Sequence, residues 1–361
     1  MAHGSALSTD EDAADVTMDG RSIGMTAVTG VSGFVGGALL QALSERAVPL
    51  RLLVRRPLPI MPAGAIRHCG DLTEPASLQG FLDGVDTLFH LAGYAHAVST
   101  PDPAELERHR HINLEGTQNL FRCAAEGGVR RLVFVSSVKA GSEDAHACLN
   151  EHSMCAPTDP YGRIKREIED WLLEQGARRG VEISVLRPAL VYGPGVKGNL
   201  AAMLRAIDRG SFPPVPETHN VRSMVSVQDL VAALLAAGTR AEAAGQVCIV
   251  DDGEAYSTRR IYTSMAAALG RPVPAWSVPA GLLRALGRVG DLGERLLRRR
   301  LPFNGTLAAR LLDSACYRSV QAEVLLGFEP RYRLEDVLPD MVHVYRNQDS
   351  GFGIRDSGFG G

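Results

Sequence analysis

The chain has 361 residues, 45% of them hydrophobic and 22% charged, with a net charge of −3. That length suits two lobes or one large α/β domain, and the near-neutral balance leaves no global basic footprint for nucleic acid. The composition excludes collagen-like, coiled-coil and wholly disordered chains, and no stretch reaches the ~18 apolar residues of a membrane span.

Residues 1–23 carry five acids and no apolar centre, so they are expected to form a disordered acidic arm rather than a signal peptide. From Gly24, short apolar runs alternate with helical spacing. GMTAVTG reads as a strand entering a turn, and GFVGGALLQALSERA as the helix after it. PLRLLVRR, VDTLFHLAG, RRLVFVSS, VEISVLRPALVY and QVCIVDDG follow as further strands. Strands alternating with helices imply right-handed βαβ units and a parallel sheet. The last third is mostly helical and arginine-rich. The expected fold is α/β, a Rossmann-type doubly wound parallel sheet with a smaller, mostly helical C-terminal lobe. The expected boundaries are 24–190 plus 224–252 for the nucleotide-binding part and 191–223 plus 253–345 for the substrate lobe. A mobile Gly-rich tail is expected over 346–361.

Gly30, Gly33 and Gly36 recur at a three-residue spacing between the apolar strand and the helix, with Ser32, Phe34 and Val35 between and beside them. Such a turn lets backbone N–H groups approach a pyrophosphate at a helix N-terminus. The second strand ends Val54-Arg55-Arg56, where an NAD-binding unit would place an acid for the ribose 2′-OH. Arg55 and Arg56 suit a 2′-phosphate instead, or are solvated strand-end residues. Asp71, followed by Leu72, either accepts from an adenine amino group or caps the helix starting near Pro75.

Tyr161 and Lys165 stand four apart just after Asp159-Pro160, where a helix should open, so they share one face. A neighbouring ammonium is expected to lower the phenol's pKa from ~10, making a proton donor and acceptor for a carbinol oxygen. Ser137, at the end of RRLVFVSS, should reach the carboxyl edge of the sheet and hold the same oxygen.

The segments TGVSGFVG, GDL, HLAG, NLEGT, FVSSVKAG, DPYGRIK and LRPALVYGPG, in this order, resemble the extended short-chain dehydrogenase/reductases, in the NAD-dependent epimerase/dehydratase family. FVSSVKAGS, DPYGRIKREIE and RPALVYGPGVKGN resemble nucleotide-sugar 4-epimerases and 4-ketoreductases of surface-polysaccharide synthesis, those making UDP-N-acetyl-quinovosamine above all. The resemblance implies Tyr161 as acid/base, Lys165 on the nicotinamide ribose, and Ser137 on the sugar C4 oxygen. It implies pyrophosphate on Gly30, Gly33 and Gly36, adenine at Asp71, and Leu72, Leu91, Ala92, Gly93, Asn113 and Pro188 along the cofactor. Lys197, Asn199 and Arg222 fall where relatives hold the nucleotide diphosphate; a guanidinium suits phosphate, whereas a loop Asn is often a turn residue.

The reaction implied is reduction of a UDP-4-keto-6-deoxy-N-acetylhexosamine at C4, with NADP(H) favoured over NAD(H) because the second strand ends in arginine. A cytoplasmic homodimer is expected. The alternatives are a UDP-hexose 4-epimerase with tightly bound NAD, a hydroxysteroid- or flavonoid-type reductase, and a non-catalytic nucleotide sensor. Ser137-Val138-Lys139 replaces the Thr-Asp-Glu of the family's 4,6-dehydratases, which argues against elimination. Leu190 stands where many relatives bind substrate through Asn.

His146, Cys148, His152 and Cys155 cluster, but not at paired zinc-ligand spacing, so no metal is expected. All six cysteines are expected to be reduced thiols. His90 is expected to bond locally rather than act as a base. The run 282–301 is basic and amphipathic, a membrane-surface helix or a lid helix with a solvated face.

Overall fold

A computed structural model describes residues 17–18, 21–22, 24–94, 103–142, 147–153, 155–297, 299, 301 and 303–350. Of the expected acidic arm it describes only Thr17–Met18 and Arg21–Ser22, paired antiparallel as two-residue strands; the rest lies outside the described residues.

Seven strands form one parallel sheet: β1 (Thr26–Thr29), β2 (Leu50–Val54), β3 (Ile66–Cys69), β4 (Thr87–His90), β5 (Arg131–Val135), β6 (Glu182–Pro188) and, further along the chain, β9 (Gln246–Val250). Their order is β9-β6-β5-β4-β1-β2-β3. The chain runs outward from β1 through β2 to β3, then returns to start β4 on the other side of β1. That reversal between β1 and β4 opens a crevice at the carboxyl ends of the strands, where open α/β sheets bind ligands.

The pleat sends alternate residues to opposite faces. Val28, Leu52 and Phe89 join one buried cluster with Leu39 and Leu43 of α1 (Phe34–Glu45) and Leu230 and Leu234 of a later helix, α6 (Val227–Thr239). Ala27, Leu53 and Leu88 join the opposite cluster, with Leu120 and Phe121 of α3 (Gly116–Glu126) and Ile164, Ile168 and Leu172 of α4 (Pro160–Arg179). Helix α2 (Pro103–His109) runs through a π-helical turn, Arg110–Glu115, directly into α3.

VEISVLRPALVY, expected as one strand, is two. After Pro188 and Ala189 the chain leaves the large sheet, and β7 (Leu190–Tyr192) pairs with β8 (Met224–Ser226). Ser226 caps α6 (Val227–Thr239) by accepting from the Asp229 N–H. A third cluster includes Tyr192, Leu200 of α5 (Gly198–Asp208) and Ile261 of α7 (Thr258–Leu269). It extends to Leu283 of α8 (Ala280–Leu297), Leu311 of α9 (Gly305–Leu312) and, after the short α10 (Ala322–Leu326), Leu338 of α11 (Leu334–Ser350). α11 runs Leu334–Ser350, so the segment expected as tail begins as helix; residues 351–361 lie outside the described residues.

Cys148 is bonded to Cys316, which corrects the expectation of six reduced thiols. A parallel bridge between the neighbouring Leu149 and Tyr317 aligns the two segments, and the Cys148 and Cys316 Cα atoms lie 4.5 Å apart. Their separation of 168 residues carries no spacing signal. Cys148 is thereby removed from the His/Cys cluster; His152 and Cys155 are exposed, and His146 lies outside the described residues.

Candidate active site

The phosphate loop is built by close backbone approach. Gly30 has φ +78°, and a Cβ there would lie 2.6 Å from the Ala92 nitrogen on the next strand's exit. A Cβ on Gly36 would collide with the Gly30 carbonyl oxygen. The Gly33 N–H donates to that oxygen at 2.9 Å and closes the turn. Gly33 is the N-cap of α1, with no side-chain cap and no acid in the first turn, leaving N–H groups and the positive helix end open to an anion. Ser32 and Gly33 are exposed, Phe34 and Val35 half-buried. A tight glycine turn packed backbone to backbone and ending in uncapped donors fits a dinucleotide pyrophosphate.

Arg55 leaves the end of β2 with its side chain 72% exposed, its Nη1 3.9 Å from Asp71 Oδ2. Arg56 is exposed beside it. Asp71 Oδ1 accepts from the Thr73 N–H at 2.9 Å and the Thr73 hydroxyl at 2.8 Å. It therefore closes a turn of its own, and Glu74 occupies the N-cap of the following Pro75–Leu78 turn. Leu72 is buried against Gly116.

β4 ends in a buried hydrogen-bond chain. The Ala92 N–H donates to Thr29 Oγ1 (3.2 Å), and the Thr29 hydroxyl to His90 Nδ1 (2.8 Å). His90 Nε2–H donates to Thr117 Oγ1 (2.9 Å), whose hydroxyl donates to the Asn113 carbonyl (2.5 Å). These partners assign the neutral Nε2–H tautomer. Burial, with the Lys165 charge, pushes His90 from 6.5 down to about 3. The unfolded chain takes that proton more readily, so this contribution to stability is complete above pH 6.5 and falls as pH drops toward 3. From this residue, urea unfolding should lose about 2 kcal/mol between about pH 7.5 and 5. A His90→Gln protein should lack that part of the slope; an unchanged slope would count against it.

Leu91 and Ala92 are half-buried and Gly93 is exposed along the crevice. Asn113, in the π-helical turn, clamps Tyr94: its Oδ1 accepts from the Tyr94 N–H (2.6 Å) and its Nδ2 donates to the Tyr94 carbonyl (3.0 Å). A Cβ at Gly93 would lie 3.2 Å from Asn113 Oδ1 and 4.0 Å from Lys165 Nζ, which fixes these three groups as neighbours.

Asp159 caps α4 by accepting from the Gly162 N–H, with Pro160 at its first position. Gly162 packs so closely on the Lys139 carbonyl that no side chain fits. That contact seats the Tyr161 end of α4 against the turn following Ser137, whose Oγ accepts from the Lys139 N–H at 3.2 Å. Pro188 is buried at the end of β6.

The pKa expectation is corrected. Burial pushes the Tyr161 phenol up to about 12, and Asp159 adds to the rise. Lys165 is not the dominant influence, because its ammonium turns inward, donating to the Val135 carbonyl (3.0 Å) and lying 4.6 Å from the Phe134 ring centroid. Burial brings Lys165 down to about 8, against the supporting charge of Glu169.

The substrate-side residues are more dispersed. Lys197 and Asn199 are exposed at the start of α5. The Arg222 guanidinium donates to the Arg310 and Asp313 carbonyls at the end of α9, a use of its charge that sequence reasoning did not foresee. Leu190 is 39% exposed. Two groups were missed. His109 is fully buried between Tyr94 and Tyr161, with ring centroids 4.7 and 5.9 Å away. Its one sequence signal is its place four residues before Asn113. Ser136 Oγ, buried next to Ser137, has no hydrogen-bond partner among the described residues.

The sequence pattern of the NAD dependent epimerase/dehydratase family matches residues 26–250. The chain is 31% identical over 275 residues to the UDP-glucose 4-epimerase of Vibrio cholerae, covering 74% of this chain and 84% of that one. It is 29% identical to sterol demethylase protein B of Methylococcus capsulatus, covering 80% and 88%. Among solved structures it resembles MoeE5 in complex with UDP-glucose and NAD, with TM-score 0.70, 25% identity, and coverage of 91% of this chain and 100% of that one.

Proposed function

The chain belongs to the NAD dependent epimerase/dehydratase family and is an enzyme of the extended short-chain dehydrogenase/reductase type, and within it we propose a reductase acting on a nucleotide sugar. The proposed substrate is a UDP-4-keto-6-deoxy-N-acetylhexosamine of surface-polysaccharide synthesis, and the proposed cofactor is NADPH. The observation that carries the reading is the meeting of the phosphate cradle, Gly93, Asn113 and Lys165 at one crevice, with Tyr161 one turn before Lys165.

Gly30, Gly33 and Gly36 would hold the pyrophosphate, Arg55 a 2′-phosphate, and Lys165 the nicotinamide ribose. Bound there, the cofactor supplies hydride. Tyr161, at about 12, carries its proton throughout the neutral range and gives it to the C4 oxygen as negative charge develops. Hydride on carbon and the phenolic proton on oxygen together make the alcohol. Ser137 donates a hydrogen bond to the same oxygen. Lys165, at about 8, is mostly charged at neutral pH and stabilises the phenolate left behind. A tyrosine that holds its proton at neutral pH suits a reducing step at the C4 oxygen. Arg55, exposed where NAD-binding units carry an acid, supports a phosphorylated ribose.

A second reading, a 4-epimerase, is favoured by the 31% identity to the Vibrio cholerae enzyme. Such an enzyme regenerates its cofactor and gains from never releasing it. Denaturing purified protein and analysing what it releases separates the two. The reductase should carry little dinucleotide and bind NADPH over NADH by tenfold or more, about 1.4 kcal/mol. Arg55→Glu should erase that preference. Stoichiometric retained NAD without NADPH preference would overturn the reductase.

A further inference from the structure

α8 is an 18-residue helix, about 27 Å long, with its large apolar side turned outward. The side facing α9 carries Leu283, Gly287 and Gly290. A Cβ on Gly287 would lie 2.9 Å from Ala308 Cβ, and one on Gly290 would collide with the Phe303 carbonyl. These close approaches fix which side is inside. Leu282, Leu286, Val289, Leu292, Leu296 and Leu297 are left between 47% and 76% exposed. The steps of four, three and seven from Leu282 through Leu286 and Val289 to Leu296 keep one continuous stripe. Trp276, just before the helix, is 63% exposed. The outward side of α8 therefore carries an exposed apolar stripe as well as charge.

Charge is arranged around this stripe. Arg288 and Arg295, two turns apart on one flank, are exposed, and exposed Arg299 follows the helix end. The helix's acids are engaged with the chain. Asp291 accepts from the Gly305 N–H, and Glu294 from the Leu301 N–H and the Asn304 side chain. Among the described residues of α8, the outward surface is thus apolar and cationic, without an exposed acid. A contiguous apolar patch of this kind marks an interaction site.

We propose that α8 lies in the headgroup layer of an anionic lipid surface, with its leucine stripe inserted and its arginines on lipid phosphates. An apolar face beside a basic flank, with an aromatic residue at its edge, is the pattern of an interfacial helix. A second copy packed α8 against α8 fits less well, since the two helices would bring arginines together and neither α8 exposes an acid to receive them.

Flotation of the full chain with vesicles tests this. The protein should float with mixed phosphatidylcholine and phosphatidylglycerol and stay behind with phosphatidylcholine alone. Arg288→Gln and Arg295→Gln should each weaken binding about fivefold. Val289→Glu with Leu296→Glu should abolish it while leaving dinucleotide binding unchanged. Failure of the unmodified protein to float overturns the proposal. So does a dimer in free solution that the two glutamates dissociate, which would make a second copy the occupant.

Discussion

A Tyr161→Phe enzyme is expected to turn over about 10²–10⁴-fold more slowly, the range for removing a positioned general acid. The ring, and with it the edge contact to His109, remains. Dinucleotide affinity should therefore be unchanged, and kcat should fall together with kcat/KM, as when an interaction made only in the transition state is lost. Because the phenol is held at about 12, the unmodified enzyme's activity should not decline on the acid side through loss of this group. A decline toward higher pH should begin near 8, as Lys165 loses its charge. A Tyr161→Phe protein that keeps full activity would remove Tyr161 from the chemistry and bring the nucleotide-sensor alternative forward.

The largest stability effect is expected at Glu169. Its carboxylate is 1% exposed and meets the 4% exposed Arg187 guanidinium through Nη2 at 2.5 Å and Nε at 3.0 Å. The pair joins α4 to β6 beneath Lys165. Taking two charges out of water is costly, and their attraction offsets that only while both are present. Glu169→Gln removes the charge that the buried Arg187 Nη2 and Nε hold and should cost about 3–5 kcal/mol in urea unfolding. Replacing both at once, Glu169→Leu with Arg187→Met, should recover much of the loss, since the desolvation cost goes with the charges. Glu169 also supports the Lys165 charge. In Glu169→Gln the alkaline limb of activity should therefore move to lower pH, a shift that a purely structural role would not produce. Equal unfolding midpoints for Glu169→Gln and the unmodified protein would contradict this.

Much of the nucleotide-binding half was legible because its signals are local. TAVT before the three glycines is a strand, a turn and a helix within twenty residues, and the structure builds β1, the loop and α1 there. Asp159-Pro160 announces a helix start by its own chemistry, and α4 begins at Pro160. β3 was blurred because Ile66–Cys69 is an edge strand, mostly exposed and without a clean apolar alternation. The break after Pro188 was hidden, since both halves of VEISVLRPALVY are equally β-prone and only the distant Met224–Ser226 draws β7 away.

The site divides in the same way. Gly30 and Gly36 declare themselves by spacing, whereas the inward turn of Lys165 depends on the Val135 carbonyl thirty residues earlier. The rise of Tyr161 depends on burial that no spacing encodes. Arg222 looked free for phosphate because its partners, the Arg310 and Asp313 carbonyls, come from a helix about ninety residues away. The substrate was least legible. Its loops carry no motif with a fixed mechanism, and relatives named for a nucleotide sugar and for a sterol stand at 31% and 29% identity.

Reduction is measured by mixing the protein with NADPH and a UDP-4-keto-6-deoxy-N-acetylhexosamine and following nicotinamide absorbance while the sugar product is analysed. One NADPH should be oxidised for each ketone reduced, with a single configuration at C4, and no such turnover should occur in Tyr161→Phe. Absence of NADPH oxidation, with interconversion of UDP-sugars differing at C4 on a retained NAD, would contradict it.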